Sequence, residues 1–227
     1  MNSLKIDRLS VTLPDGTPLC KALSFSIEPG GVLALMGPSG SGKSTILSWI
    51  TGTLAPGIKA SGEVWLGNNR LTDLPAEKRQ LGLMLQQDYL FPHMSVGQNL
   101  KFGLRGSRKA ERDQRVADSL REAGLAGMVD RDPITLSGGQ RARVSLLRTL
   151  LSDPHALLLD EPFSRLDVTL REQIRNFTWN HAKHLPTLLV THDSADVPTH
   201  ADTVELKPPS SNAAHAVSLC AVDSTQA

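Results

Sequence analysis

The sequence predicts an α/β protein organised around a parallel sheet, and three observations predict it. Short, continuous apolar runs at Val32–Met36, Ala156–Leu159 and Leu188–Val190 have the length and composition of strands buried on both faces. A stretch of helical character from Val168 to about Lys183 joins the second run to the third, and strand–helix–strand is the grammar of a parallel pair. A glycine-rich loop follows the first run and leads into a further helical stretch, Ser44 to Ile50.

The elements follow in order. Strand-like sequence ends near Ile27–Glu28, where Pro29-Gly30-Gly31 makes a turn before the first buried run. The helix after the glycine-rich loop is stopped by Gly52, Pro56 and Gly57. Gly62-Glu63-Val64-Trp65-Leu66-Gly67 half-alternates, as a strand with one covered face does, and its turn is expected at Asn68-Asn69. From Val96 to about Leu151 the pattern is mostly helical, and the charges between Arg105 and Arg121 read as a solvated face. Pro208-Pro209-Ser210-Ser211-Asn212 breaks regular structure, so residues 208–227 are expected to form a flexible tail. There is no internal repeat.

Composition narrows the function. The 227 residues carry 24 Lys+Arg against 23 Asp+Glu, a net charge of +1, with 40% hydrophobic and 21% charged residues. That is a soluble globular composition, and the near-neutral balance excludes a nucleic-acid binder that works by bulk charge. Aromatic residues, at 4%, are too few for a base-stacking platform. Cys20 and Cys220 share no metal-type spacing and define no disulfide framework. The charged N-terminus does not resemble a secretory signal, and no run approaches the ~18 apolar residues of a spanning helix. A cytoplasmic chain is expected, which at a membrane must dock on something that spans it.

Gly37-Pro38-Ser39-Gly40-Ser41-Gly42-Lys43-Ser44-Thr45 matches G-x-x-x-x-G-K-[ST], between a buried strand and a helix. Glycines let backbone N–H groups curl around phosphate oxygens, Lys43 can reach the β- and γ-phosphates, and the Ser44 hydroxyl can bind Mg²⁺. Asp160-Glu161-Pro162 ends the second buried run, where parallel sheets bind their ligands. Asp160 is a candidate Mg²⁺ ligand and Glu161 a candidate base for an attacking water. His192 ends the third run and is a candidate for contacting the γ-phosphate. These residues describe a Mg²⁺-nucleotide hydrolase of phosphate-loop type and do not say what hydrolysis drives.

Leu136-Ser137-Gly138-Gly139-Gln140 resembles the signature of the ATP-binding cassette (ABC) ATPases, and the motifs stand in that family's order from Leu4 to about Leu206. The resemblance implies a phosphate-loop NTPase (RecA-like) core with an antiparallel β subdomain and an inserted α-helical subdomain. Residues 1–207 would be one nucleotide-binding domain, with the helical subdomain at about 87–150. The resemblance makes Gln86 the glutamine that senses Mg²⁺ and the attacking water, His192 the switch histidine, and Asp167 a residue that communicates across a dimer. In the last motif Arg165 stands where alanine is more usual. ATP and Mg²⁺ are the implied cofactors. The implied assembly is a head-to-tail homodimer or pseudo-symmetric pair, each ATP lying between Lys43 of one subunit and the Ser137-Gly138-Gly139-Gln140 turn of the other. After hydrolysis the γ-phosphate no longer bridges the halves.

One departure concerns the base. An aromatic residue usually stacks on adenine, and the matching position here is Leu13. Leu90, Phe91 and Met94 fall where the family meets a membrane partner and are either a docking groove or core. His181 and His184 read as surface residues, and Trp49, Trp65 and Trp179 as packing residues. The function implied is the ATPase subunit of a membrane transporter, closest in look to stand-alone bacterial importer subunits of thiamine, iron(III) and sulfate type. It would sit peripherally on the cytoplasmic face of the cell membrane, with integral membrane permease subunits, a separate substrate-binding protein and no nucleic acid as partners. An export complex is the alternative, and an ABC ATPase acting on ribosomes or DNA a more distant one.

Overall fold

The computed structural model describes residues 2–104, 108–207 and 219–220. Its first sheet is antiparallel, with the order β2-β1-β4-β5, formed by β1 (Leu4–Thr12), β2 (Pro18–Ile27), β4 (Lys59–Leu66) and β5 (Asn69–Arg70). The second has the order β10-β9-β3-β8-β7-β6. In it β3 (Val32–Met36), β6 (Leu81–Met84), β7 (Ala156–Asp160), β8 (Thr187–Val190) and β9 (Asp202–Glu205) run parallel. The two-residue β10 (Leu219–Cys220) pairs antiparallel with β9.

The three apolar runs are the central strands, as the sequence predicts, and every residue of β7 and β8 is buried. Alternation sends their side chains to opposite faces. Leu33, Leu35, Leu158, Leu188 and Val190 pack with the antiparallel sheet and α1 (Lys43–Thr51). Val32, Leu157, Leu159 and Leu189 pack on the other face with α2 (Val96–Phe102), α3 (Lys109–Glu122), α4 (Gly138–Leu151) and α5 (Val168–Ala182). The expected helical stretch 96–151 is therefore three helices, which lie in sequence between β6 and β7. On α3 only Val116, Ser119 and Leu120 are buried, so its charges do form a solvated face.

One detail differs from the sequence reading. The hairpin after β4 turns at Gly67-Asn68, one residue earlier than expected, because Gly67 takes φ +57 and its N–H bonds Ser3 O at 2.8 Å, which leaves Asn69 opposite Leu66. Residues 208–227, the expected tail, lie outside the described residues except for Leu219 and Cys220.

The far end of α1 is held by a buried cation. Arg79, 6% exposed, donates to Trp49 O, Ile50 O, Thr72 O and Leu74 O at 2.6–3.0 Å. The guanidinium satisfies carbonyls that a helix C-terminus leaves without partners and places positive charge at the negative end of the helix dipole. It thereby anchors α1 from behind, with its other end pointing at the glycine-rich loop.

Candidate nucleotide site

The loop between β3 and α1 is shaped by backbone that side chains would obstruct. Gly37 has φ +144, and a Cβ there would lie 2.5 Å from Leu206 O and 2.9 Å from Ser41 Oγ. Gly40, at φ +79, has nothing within 4 Å on that side, so the loop is open towards the cleft it borders. Lys43 Nζ donates to Gly37 O at 2.7 Å and Pro38 O at 2.8 Å and so spans the loop. Ser41 Oγ is buried with no hydrogen-bond partner. α1 starts at Lys43 without a side-chain cap, which leaves its first N–H groups available to an anion.

The loop borders a cleft of about 330 Å³ that Gln86, Asp160 and Glu161 also line, together with Leu13 and Leu19. Ser44 Oγ donates to Asp160 Oδ2 at 2.9 Å. Burial holds the Asp160 carboxyl above its ordinary value, against the opposing pull of the Ser44 hydroxyl. Ser44 and Asp160 offer oxygen donors only, the chemistry that suits a hard divalent cation completed by phosphate and water. The loop and this pair together fit a Mg²⁺-nucleoside triphosphate.

Glu161 has φ +51, unusual for any residue with a Cβ and a local strain that the surrounding bonds maintain. Its N–H bonds Val190 O at 2.9 Å, and its O accepts from Ser164 N at 3.3 Å and Ser164 Oγ at 2.9 Å. Its carboxylate Oε1 lies 2.7 Å from His192 Nδ1. The segment after His192 is braced by Arg171 on α5, which pairs with Asp193 at 2.8 Å and Asp196 at 2.6 Å. His192 is thus set against Glu161, while the cleft wall itself is formed by Glu161.

The predicted residues divide into two places. Ser39, Gly40, Gly42, Lys43, Ser44, Thr45, Gln86, Asp160 and Glu161 meet at the cleft. Ser137, exposed, caps α4 in a reciprocal box with Gln140, at 2.9 and 3.3 Å. Asp167 caps α5 through Leu170 N at 3.0 Å. Neither Ser137 nor Asp167 lines the cleft. Gln86 reaches the cleft, whereas its neighbour Gln87 lines a separate groove. Leu19 was not anticipated; it packs 3.2 Å from where a Gly42 Cβ would stand, beside the loop.

That groove, about 490 Å³, is lined by Tyr89, Leu90, Pro92 and Ile134, with Asp88, Arg141 and Arg165 among its polar residues. Tyr89 and Ile134 are 62% and 71% exposed. Of the residues expected there, Leu90 lines it, Phe91 packs instead on Phe102 with ring centroids 4.7 Å apart, and Met94 is half-buried elsewhere. Trp49 and Trp179 pack in the two cores and Trp65 bonds Glu63 at 3.0 Å. His181 and His184 border a surface cleft in which His181 Nε2 lies 4.0 Å from Glu122, an acid neighbour that their spacing did not reveal. Among the described residues no group of three or more His, Cys, Asp or Glu side chains is placed to hold a metal, and no helix is long and apolar enough to cross a membrane.

Residues 20–164 match the ABC transporter family. The chain is 45% identical over 206 residues to the uncharacterized ABC transporter ATP-binding protein YnjD of Escherichia coli K12, covering 89% of this chain and 94% of that one. The chain belongs to the ABC transporter family of ATP-binding proteins. It is an ATPase of that family. This cassette is also 39% identical to the putative 2-aminoethylphosphonate import ATP-binding protein PhnT of Salmonella paratyphi A, with 94% of this chain and 58% of that one aligned. It is 39% identical to the sulfate/thiosulfate import ATP-binding protein CysA of Gloeobacter violaceus, with 89% and 59% aligned. It thus spans nearly all of YnjD and somewhat over half of these import proteins. Its fold resembles the dimeric bacterial ABC transporter cassette MJ0796, with a TM-score of 0.77 at 29% identity over 90% of this chain and 94% of that one. The same cassette has also been solved bound to ADP and Pi in a post-hydrolysis state.

Proposed function

We propose that this cassette is the ATP-hydrolysing subunit of an ABC importer. The observation that carries the reading is the single cleft at which Lys43, Ser44, Gln86, Asp160 and Glu161 converge. The ATP phosphates would be held by residues Gly37–Thr45, with Lys43 supplying charge and the α1 N-terminus its N–H groups. Ser44, Asp160 and Gln86 would hold Mg²⁺, which when bound offsets the negative charge that builds on the phosphates. Glu161 would accept the proton of the attacking water, and His192, 2.7 Å from that carboxylate, would orient it.

The site is completed by a second copy or a similar chain. Ser137, exposed, and the partly buried Gly138, Gly139 and Gln140 begin α4 in one subunit, and this turn would meet the ATP held by the other, with Asp167 taking part across the pair. The dimeric form of MJ0796 supports pairing of this kind. The groove joins exposed Tyr89 and Ile134 with Leu90 to the charged Asp88, Arg141 and Arg165 and lies one residue along from Gln86, a mixed surface that suits an amphipathic segment of an integral membrane permease. Import is favoured over export by PhnT, CysA and a MalK relative named for maltose/maltodextrin import. The subunit would then work peripherally on the cytoplasmic face, with a separate substrate-binding protein delivering cargo.

Affinity capture from detergent-solubilised membranes tests this reading, with the Glu161→Gln variant and ATP as bait. Recovery of a polytopic membrane protein is expected. Recovery of ribosomal or DNA-associated proteins without one would overturn it.

A further inference from the structure

Asp88 stands two residues after Gln86 and does nothing in the chemistry described so far. Its side chain is 9% exposed, and its Oδ2 lies 3.3 Å both from Arg141 Nε and from Arg165 Nη1. The two arginines belong to different parts of the machinery. Arg141 is in the first turn of α4, next to Gln140, and its Nη1 also donates to Leu136 O at 2.7 Å, the carbonyl before Ser137. Arg165 lies between Glu161 and Asp167, and its backbone O sits 3.3 Å from where a Cβ on Gly139 would be. One buried carboxylate oxygen therefore joins the segment carrying Gln86, the turn carrying Ser137 and Gly139, and the segment carrying Glu161 and Asp167.

We propose that Asp88 is a positioning residue that, through Arg165 and Arg141, holds these three segments in the arrangement that turnover needs. The inference rests on the proposed ATPase mechanism and adds to it a residue that touches neither nucleotide nor water. Two guanidinium groups share one carboxylate, so neutralising Asp88 leaves two like charges side by side at a partly buried point, and the segments separate. Removing Arg165 leaves Asp88 still paired with Arg141, a milder loss. The phosphate loop is untouched by either change, so ATP binding stays and the alignment of reacting groups suffers. Asp88, Arg141 and Arg165 also line the exposed groove, which puts the tie directly beneath whatever docks there.

Steady-state ATP hydrolysis by the full chain tests the proposal with Asp88→Asn, Arg165→Ala, Arg165→Lys and the double variant D88N/R165A. Asp88→Asn is expected to lower kcat about three- to thirty-fold with the KM for ATP unchanged. Arg165→Ala should lose less, Arg165→Lys should recover most of that loss, and the double variant should be no slower than Asp88→Asn alone. Arg165 has a 42% exposed side chain, so its truncation opens no core cavity and keeps the test valid if Asp88→Asn folds poorly. Unchanged kcat in Asp88→Asn and Arg165→Ala beside an active wild type overturns the proposal alone, as does a loss confined to melting temperature or to KM. A folded wild type with no hydrolysis overturns the functional reading and this inference with it.

Discussion

Ser44 and Asp160 are 116 positions apart in sequence, and the Ser44 hydroxyl donates to the Asp160 carboxylate across 2.9 Å. The contact exists because β7 neighbours β8, which neighbours β3, so the end of β7 opens beside the start of α1. Burial raises the Asp160 carboxyl above its ordinary value, and a bound cation would repay that cost. Asp160→Asn keeps the shape and removes the charge. Its expected effect is a rise of about a hundredfold or more in the Mg²⁺ concentration for half-maximal ATP hydrolysis. A Mg²⁺ titration identical to wild type would remove Asp160 from the metal site.

His192 is expected to act through Glu161, because its Nδ1 rests 2.7 Å from that carboxylate and its ring is not part of the cleft wall. His192→Ala should lower kcat roughly ten- to a hundredfold with little change in ATP affinity. Combined with Glu161→Gln it should add nothing further, as groups acting as one unit do. Full additivity in steady-state rates would show two independent roles.

Leu13 and Leu19 present aliphatic carbons to the cleft where an aromatic ring could stack on a base. Loss of stacking costs about 1 kcal/mol, so ATP is expected to remain preferred with GTP excluded less than a ring would exclude it. Leu13→Tyr should tighten ATP about five-fold by titration calorimetry. A large ATP preference in the unmodified protein would contradict this.

Cys20 is 5% exposed in the antiparallel sheet's core, and burial pushes its thiol up from 9.0 to about 11. The folded state thus keeps a proton that the unfolded chain gives up. Stability is unaffected below about pH 8 and falls as pH rises from 9 towards 11. Denaturant melts of wild type and Cys20→Ala should diverge in slope across that window. Parallel profiles would show that ionisation of Cys20 has no part in alkaline unfolding.

Much of this molecule was readable from local sequence. Val32–Met36, Ala156–Leu159 and Leu188–Val190 are the buried parallel strands, and the glycine-rich loop and the Asp160-Glu161 pair stand at their ends, because strand burial and phosphate cradling both depend on neighbours in the chain. Gln86, the glutamine the resemblance singles out, lines the cleft, while its neighbour Gln87 lines the separate groove. What escaped depends on contacts between distant residues. Asp88, Arg141 and Arg165 look like three unrelated surface charges until the fold joins them. The positive φ of Glu161 and the Arg79 cap on α1 are likewise set by neighbours far along the chain. Leu90 and Phe91 are adjacent and equally apolar, yet one lines the groove and the other packs on Phe102, a division no periodicity distinguishes.

Lys43, Ser44, Asp160 and Glu161 are proposed to form half of an ATP site that a second subunit's Ser137 turn completes. Sedimentation of the purified Glu161→Gln protein, with and without Mg²⁺-ATP, tests it most directly, with a Glu161→Gln/Ser137→Arg variant alongside. Monomers are expected without nucleotide, dimers with ATP, and no ATP-driven dimer once Ser137 is replaced. ATP bound to a protein that stays monomeric, or dimers indifferent to Ser137, would contradict it.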